Sequence, residues 1–372
     1  MLAMKSLVKP QPALYRGQDA PPPSPPPPPP APPLTYGAES DEVIRFTAPT
    51  RVISKNPNGL QSGDKYPRFL RAINAEDRRN GLAAVLVQEH NLKKADSERH
   101  HTIARRLRIL ALINYMPEDD FKGGTAIFIP YDHVERRKDE SEDAALTRVG
   151  TSRVYEAAGR ITRVTTDLGG TAIQLTSAYA HATGGLTRKR FFSRSLAAVL
   201  NANSLLGVDA NCVPDVTLDV SNSLSQRSNI GANELNDVTS RHDLSDIARE
   251  QLGDAPFFTS HHIVSDHNGA TRTAHTRIDQ IYTPNLDAMQ WTHAPANHFW
   301  PSLKSEPDHD AISVSLVCIT KTPGHDIERI TDTIFDSVPF NDTLARILAP
   351  LHKECSEAEF ASAATAGTRA HP

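Results

Sequence analysis

LAAVLVQE, residues 82–89, sets six apolar residues ahead of a carboxamide and a carboxylate. An unalternating apolar run of that length suits a strand buried on both faces, as in a sheet covered by helices. It follows YPRFLRAINAEDRRNG (66–81), where Phe69, Leu70 and Ile73 share one helical face and Gly81 supplies the stop. Upstream, RVIS (51–54) reads as a strand closed by the turn cluster NPNGL.

Working outward, SERHHTIARRL reads as a helix, and RILALINY, TAIFIP, GRITRVTTD and TAIQLTSAYA read as strands. LTRKRFFSRSLAAVLNAN (186–203) reads as one helix, followed by the buried strand SLLGVDAN. RIDQIYTP (277–284) and AISVSLVCI (311–319) are strand-like as well. Gly123–Gly124 and Gly169–Gly170 read as turns between strands, the second pair as a hairpin. Strands alternate with helices but also follow one another directly. That mixture predicts an α/β sandwich with mixed sheets rather than a pure dinucleotide-binding unit.

The chain divides into three parts. Residues 1–45 form a proline-rich arm, 46–320 the folded domain, and 321–372 a helical segment with a disordered tail. Eleven of the 28 prolines fall between Pro21 and Pro33, which places an extended polyproline helix there. It reads as a semi-rigid spacer, or as a ligand for an SH3-, WW- or profilin-type groove. HDIERITDTIFDSVPFNDTLARILAPLHKE (325–354) reads as two helices broken near Val338–Pro339.

Composition narrows the function classes. Forty Lys and Arg stand against 44 Asp and Glu, a formal net charge of -4. Bulk positive charge is therefore not the source of any nucleic-acid affinity, although an enzyme needs only a local basic face. Cys212, Cys318 and Cys355 are an odd, widely spaced set, which argues against a disulfide framework and for a reducing, intracellular compartment. No apolar run approaches the ~18 residues of a membrane span. The amino terminus MLAMKSLVKPQPAL lacks the apolar core of a signal peptide.

The chemistry is written at the strand ends, where ligand sites of α/β sheets form. RVIS leads to Asn56 and Asn58, VLVQ to Glu89, and LLGV to Asp209 and Asn211. AISVSL is preceded by Asp308 and His309. These oxygen donors suit a hard cation such as Mg²⁺, which takes one or two carboxylates and keeps several waters. Glu89 with Asn58 or Asp308 would supply them. HExxH, CxxC, GxSxG, Walker A and strand-linked GxGxxG patterns are missing. The pairs His100–His101 and His261–His262 read as solvated surface histidines.

In order along the chain, NPNGL, LVQEH, GGTAIFI, LTSAYA, GVDANCVPDVTLD, RIDQIY and PDHDAIS resemble motifs of the endonuclease/exonuclease/phosphatase superfamily. The likeness is greatest to the apurinic-endonuclease-like domain of non-LTR (LINE-type) retrotransposons, and it runs from about Arg51 to Ile319. The resemblance implies a DNase-I-like fold, a four-layer α/β sandwich of two mixed sheets flanked by helices. It implies a Mg²⁺-dependent DNA endonuclease (Mn²⁺ as a substitute) that leaves 3′-hydroxyl ends and works as a monomer, in the nucleus when on DNA. By position, Glu89 would hold the metal with Asn58 nearby and Asp308 as a second ligand. Asp209 would orient or deprotonate the attacking water, and Asn211 would position it or the phosphate. His309, held by Asp279, would stabilise the scissile phosphate. Tyr179 would bind phosphate or assist the leaving oxygen, Asn56 would support Glu89, and Thr259 would lie near the phosphate. The segment after the nuclease resembles the linker that precedes reverse transcriptase in such elements, and no polymerase motif follows it.

Pro57, Val208, Ala210 and Pro307 depart from the family pattern. Two basic concentrations, Arg78, Arg79, Lys93, Lys94, Arg99, Arg105 and Arg106, then Arg188, Lys189 and Arg190, read either as solvated helix faces or as phosphate contacts. The sequence leaves two competing readings. One is a phosphoesterase of the same fold acting on lipid or inositol phosphate. The other is a catalytically dead fold that binds DNA or partners.

Overall fold

Strands whose two faces are both apolar must be covered twice, and the protein covers them with a second sheet on one side and helices on the other. The computed structural model describes residues 50–117, 122–134, 136–168, 171–221, 229–265, 271–286, 289–296, 299–300 and 309–318. The polyproline run, residues 321–372, Asp308, Pro307, Cys355 and the Gly169–Gly170 turn lie outside them.

One sheet holds β1 (Thr50–Lys55), β2 (Leu82–Gln88), β3 (Ile109–Asn114), β4 (Thr125–Pro130), β13 (Met289–Pro295) and β14 (Ile312–Cys318). The other holds β5 (Val154–Glu156), β6 (Ile161–Leu168), β7 (Thr171–Tyr179), β8 (Ser204–Asp209), β9 (Leu244–Asp246) and β12 (Asp279–Pro284). Their orders are β13-β14-β1-β2-β4-β3 and β5-β6-β7-β8-β12-β9. Both are mixed, with β1–β2 and β7–β8 parallel and the other pairs antiparallel. A separate ribbon pairs β10 (Ser260–Ser265) with β11 (Thr271–Thr276).

The helices are α1 (Lys65–Asn80), α2 (Ser97–Arg106), α3 (Glu142–Thr151), α4 (Gly185–Arg190), α5 (Ala232–Arg241) and α6 (Ile247–Leu252). None among the described residues is long and apolar enough to cross a membrane. The period of two in a strand sorts neighbouring residues to opposite faces. Val52 and Leu86 pack between the sheets with Val164, Leu175 and Leu205. Ile53, Val85 and Val87 face outward, against Phe69, Leu70 and Ile73 of α1. On the far side Leu206 and Val208 meet Phe191, Phe192, Leu235 and Val238. These three apolar layers between helix, sheet, sheet and helix make the four-layer sandwich expected from the sequence.

The helix predicted over 186–203 is not a single α-helix. After α4 the chain widens into a π-helical turn over Phe191–Leu196, with Ala197 N–H donating to Phe192 O, and it leaves the helix before Leu200. Pro57 lies beyond the end of β1, so it interrupts no ladder bond. Val208 and Ala210 are fully buried with the α4–α5 layer, where their small apolar side chains fill core rather than perturb the strand end.

Candidate active site

Four strand ends, the start of a fifth strand and one approach segment converge at the same rim. β1 and β2 run parallel, so Asn56 and Glu89 leave the sheet on one side. β7 and β8 are parallel and place Tyr179 beside Asp209. β8 and β12 are antiparallel and place Asp279 opposite Asp209. His309 arrives just before β14, bridged to Ser260.

Asn56 is the hub. Its Nδ2 donates to Asp209 Oδ2 at 2.9 Å and to Glu89 Oε2 at 3.2 Å, and it lies 3.5 Å from His309 Nε2. Its Oδ1 accepts from Asn58 N–H at 2.8 Å, which fixes the amide orientation. His309 Nδ1 meets Asp279 Oδ2 at 2.8 Å. Lys55 Nζ donates to His309 O. Thr259 is fully buried, and its hydroxyl accepts from the N–H groups of Ile278 and Asp279 at 3.2 and 3.0 Å. It anchors the Asp279 strand end from beneath.

Asn211 N–H donates to Asp209 Oδ1 at 3.0 Å, and its Nδ2 donates to Ala180 O at 3.1 Å. The Tyr179 hydroxyl feels the Glu89 and Asp209 charges, and the Arg160 guanidinium stands 5.3 Å from its ring centroid. Asn58, Glu89 and Asn211 all sit at positive φ, 49°, 50° and 49°. Such backbone is uncommon for side-chain-bearing residues and gathers at functional sites. The structure thus gathers Asn56, Glu89, Tyr179, Asp209, Asn211, Asp279 and His309, with Asn58 at the exposed rim and Thr259 below.

Burial and neighbouring charge set the proton states. Burial raises the Asp209 carboxyl, and the Asp279 charge raises it further, to about 7 against the pull of His309, Asn56 and Asn211. Burial alone would depress the His309 imidazole, but the charge and hydrogen bond of Asp279, with Asp209 behind, raise it to about 9. Burial and the Glu89 and Asp209 charges push the Tyr179 hydroxyl up, so it stays protonated.

Asp209, Asp279 and His309 bring ligand-type atoms within 4.8 Å of one another. A protonated imidazole paired through Nδ1 is a poor metal ligand, however, so this trio is better read as a carboxylate–imidazolium couple. A hard cation fits beside Glu89 instead. The rim holds three carboxylates against one imidazolium and one lysine, and the ligand atoms it offers are oxygens, the donor set of a hard cation.

Several residues at the site escaped the sequence reading. Gln88 Nε2 donates to Ser54 and Ser177 hydroxyls at 3.2 and 3.1 Å and to Gly207 O at 3.3 Å, pinning the two sheets together directly below Glu89. Its signal was a carboxamide closing an otherwise apolar buried strand. Lys55 is buried at the end of β1, an equally unusual place for a lysine. Gly124 packs so closely on the His90 ring that a Cβ would lie 2.4 Å from it, so the glycine pair shapes the Glu89 loop as well as making a turn. Asp219 is wholly buried with Arg277 and Arg249, and it ties the segment after Asn211 to the start of β12.

Other expectations are corrected. His100 is buried against Tyr66 and Tyr115, and His261 contacts Asp310 at 2.9 Å and His275. Neither is a solvated surface histidine. Arg188 is buried, holding the carbonyls of His181, Ala182 and Ile230, and Lys189 pairs with Glu234. Two of that second basic group, Arg188 and Lys189, are therefore engaged within the fold, while Arg190 is exposed.

Fold and site together define a class by architecture, a DNase-I-like α/β sandwich of two six-stranded mixed sheets flanked by helices, with its polar site at the strand ends. Among solved structures, the chain is similar to the endonuclease domain of TRAS1, a telomere-specific non-LTR retrotransposon, at 17% identity and TM-score 0.44, covering 72% of this chain and 98% of that one. It is also similar to the AP endonuclease LMAP from Leishmania major, at 14% identity and TM-score 0.48, covering 75% and 91%. A third is the 3′ phosphatase NExo from Neisseria, bound to product DNA hairpin, at 13% identity and TM-score 0.47, covering 71% and 98%. At these identities the likeness is one of fold. No family model matches the sequence, and no curated protein matches it.

Proposed function

We propose that the protein is a divalent-metal-dependent DNA endonuclease that cleaves the bond between phosphorus and the 3′ oxygen, leaving a 3′-hydroxyl. The observation that carries this reading is the convergence on Asn56, where Glu89, Asp209 and His309 lie within 3.5 Å of one amide nitrogen and Asp279 holds the other side of the imidazole. Phosphodiester hydrolysis needs an oriented water, a donor to the phosphate and relief of charge on the leaving oxygen.

Asp209 takes the water proton, its free lone pairs aimed by Asn56 and by Asn211 N–H. Its raised pKa makes it a stronger base near neutral pH than an ordinary carboxylate, and a positioned base contributes roughly 10²–10⁴-fold. His309 is held protonated by Asp279. When it is protonated, Nε2–H faces an Asn56 amide that is itself a donor, so this proton is left for a non-bridging phosphate oxygen. Losing one such preorganised donor typically costs roughly 10²–10³ in kcat. Tyr179, kept neutral, donates to the phosphate or to the departing 3′ oxygen. Glu89 and Asn58 would hold the cation, with Mg²⁺ the ion proposed. When bound, it supplies Lewis-acid polarisation of the phosphate and a more acidic water.

The test sets two substrates side by side. Supercoiled plasmid with Mg²⁺ is expected to relax to open circles while inositol phosphates release no phosphate. Phosphate release without nicking would transfer the site to the phosphoesterase reading.

A further inference from the structure

His309 is delivered to the rim from beyond the ladder that carries its strand. β14 pairs with β1 only as far as Ser54 and Ile312, three residues short of His309. Past that point the imidazole is held from the second sheet, by Asp279 of β12 at 2.8 Å. On the backbone side, Asp310 N–H donates to Thr259 O at 2.6 Å, and His309 bridges to Ser260. None of these three contacts joins His309 to β1, whose end leads into Asn56.

Lys55 supplies that join. It closes β1, and its Nζ donates to His309 O. The residue is only 4% exposed. A lysine is rarely buried so far, because its ammonium gives up water and must be hydrogen-bonded where it ends. Ser54 faces between the sheets, where its hydroxyl meets Gln88. Alternation therefore turns Lys55 to the outer face with Ile53, and its flexible four-carbon stem spans the gap that the ladder leaves. A bond from a charged donor is also stronger than a neutral ladder bond. Because Asn56 follows directly, one dipeptide meets His309 twice, at its carbonyl and 3.5 Å from Nε2.

We infer that Lys55 is a positioning residue for His309, whose ammonium ties the His309 carbonyl to the end of β1 and so sets the imidazole against Asn56. The inference rests on the endonuclease reading for its effect on turnover, but not for the tether itself. A displacement of about 1 Å at a catalytic group can cost ~10²-fold in rate, so a residue acting only through another can govern the chemical step.

The tether is measurable without catalysis. Isotope labelling of histidine carbonyls and aspartate amides leaves three coupled NMR signals, from His242–Asp243, His309–Asp310 and His325–Asp326. Asp310→Glu removes one of them and so assigns it. Lys55→Met keeps the length of the stem and removes the donor. In the full chain, in EDTA and without DNA, it should shift the His309–Asp310 signal and leave His242–Asp243 in place. In plasmid nicking with Mg²⁺ it should lower kcat by roughly 10- to 10²-fold with KM unchanged. Lys55→Arg keeps a charged donor and should stand between Lys55→Met and wild type in both readouts. If Lys55→Met does not fold, Lys55→Gln, a shorter and neutral donor, takes its place with the same expectations. If the signal moves but wild type never nicks, the endonuclease reading falls and the tether stands. If wild type nicks and the variant matches its kcat, or leaves the His309–Asp310 signal unmoved, the positioning role is wrong. A loss carried by KM instead of kcat would also overturn it, since Lys55 would then be holding DNA rather than His309.

Discussion

Asp209 and Asp279 are register partners across the antiparallel β8–β12 pair, so two carboxylates far apart in sequence share one rim by backbone pairing alone. Their roles separate through their neighbours. Asp279 carries His309, while Asp209 accepts from Asn56 and Asn211. Asp279→Asn would leave the fold intact but remove the charge that keeps His309 protonated. Nicking kcat should fall roughly 10²–10⁴-fold with little change in KM, as read from plasmid kinetics at neutral pH. An unchanged kcat would mean that the couple is structural.

Metal binding can be separated from turnover. Glu89→Gln keeps the size of the side chain and removes its charge. It should weaken Mn²⁺ binding at least about tenfold, followed by electron paramagnetic resonance of free Mn²⁺, without DNA present. Equal affinity in the variant would place the cation elsewhere.

The Gln88 pin makes a stability prediction. A Cβ on Gly207 would lie 2.6 Å from Ser54 Oγ and 2.9 Å from a Leu86 methyl. Gly207→Ala should therefore cost about 1–3 kcal/mol by overpacking, seen as a lower urea midpoint at constant slope.

Acid sensitivity should trace to His90. It is fully buried, its Nδ1 accepts from Leu92 N–H, and its Nε2 donates to Asn114 O. Burial depresses its pKa to about 4, below the ~6.5 of an exposed histidine. Above pH ~6.5 both folded and unfolded chains hold it neutral. Between about 6.5 and 4 only the unfolded chain takes the proton, so stability falls with pH, by up to about 3 kcal/mol. His90→Asn keeps an acceptor for Leu92, so it should be less stable at pH 7.5 yet lose less on going to pH 5. Parallel slopes for wild type and variant would rule His90 out as the source.

Much of this was legible in the sequence because the chemistry clusters at the ends of strongly apolar strands. Leu82–Gln88 and Ser204–Asp209 need burial on two faces, and their final polar residues fall at the rim by necessity. The ribbon β10–β11 was not legible. SHHIVS and TRTAHT lie outside both sheets, so no core face imposes an alternating pattern on them. β9 is three residues long, too short for any period, and α3 announces itself only through the Ser141 cap, whose hydroxyl accepts from Ala144 N–H. The partnership of Asp219 with Arg277 was equally hidden, because ion pairing across distant loops leaves no local pattern.

The central claim is that Asp209 serves as the base in a metal-dependent scission leaving a 3′-hydroxyl. The most direct measurement nicks supercoiled plasmid with wild type and Asp209→Asn in Mg²⁺, then offers the open circles to a DNA polymerase without prior phosphatase treatment. Wild-type nicks should be extended at once, EDTA should abolish nicking, and Asp209→Asn should be slower by at least roughly 10²-fold. Nicks that the polymerase cannot extend, or an Asp209→Asn variant as fast as wild type, would contradict it.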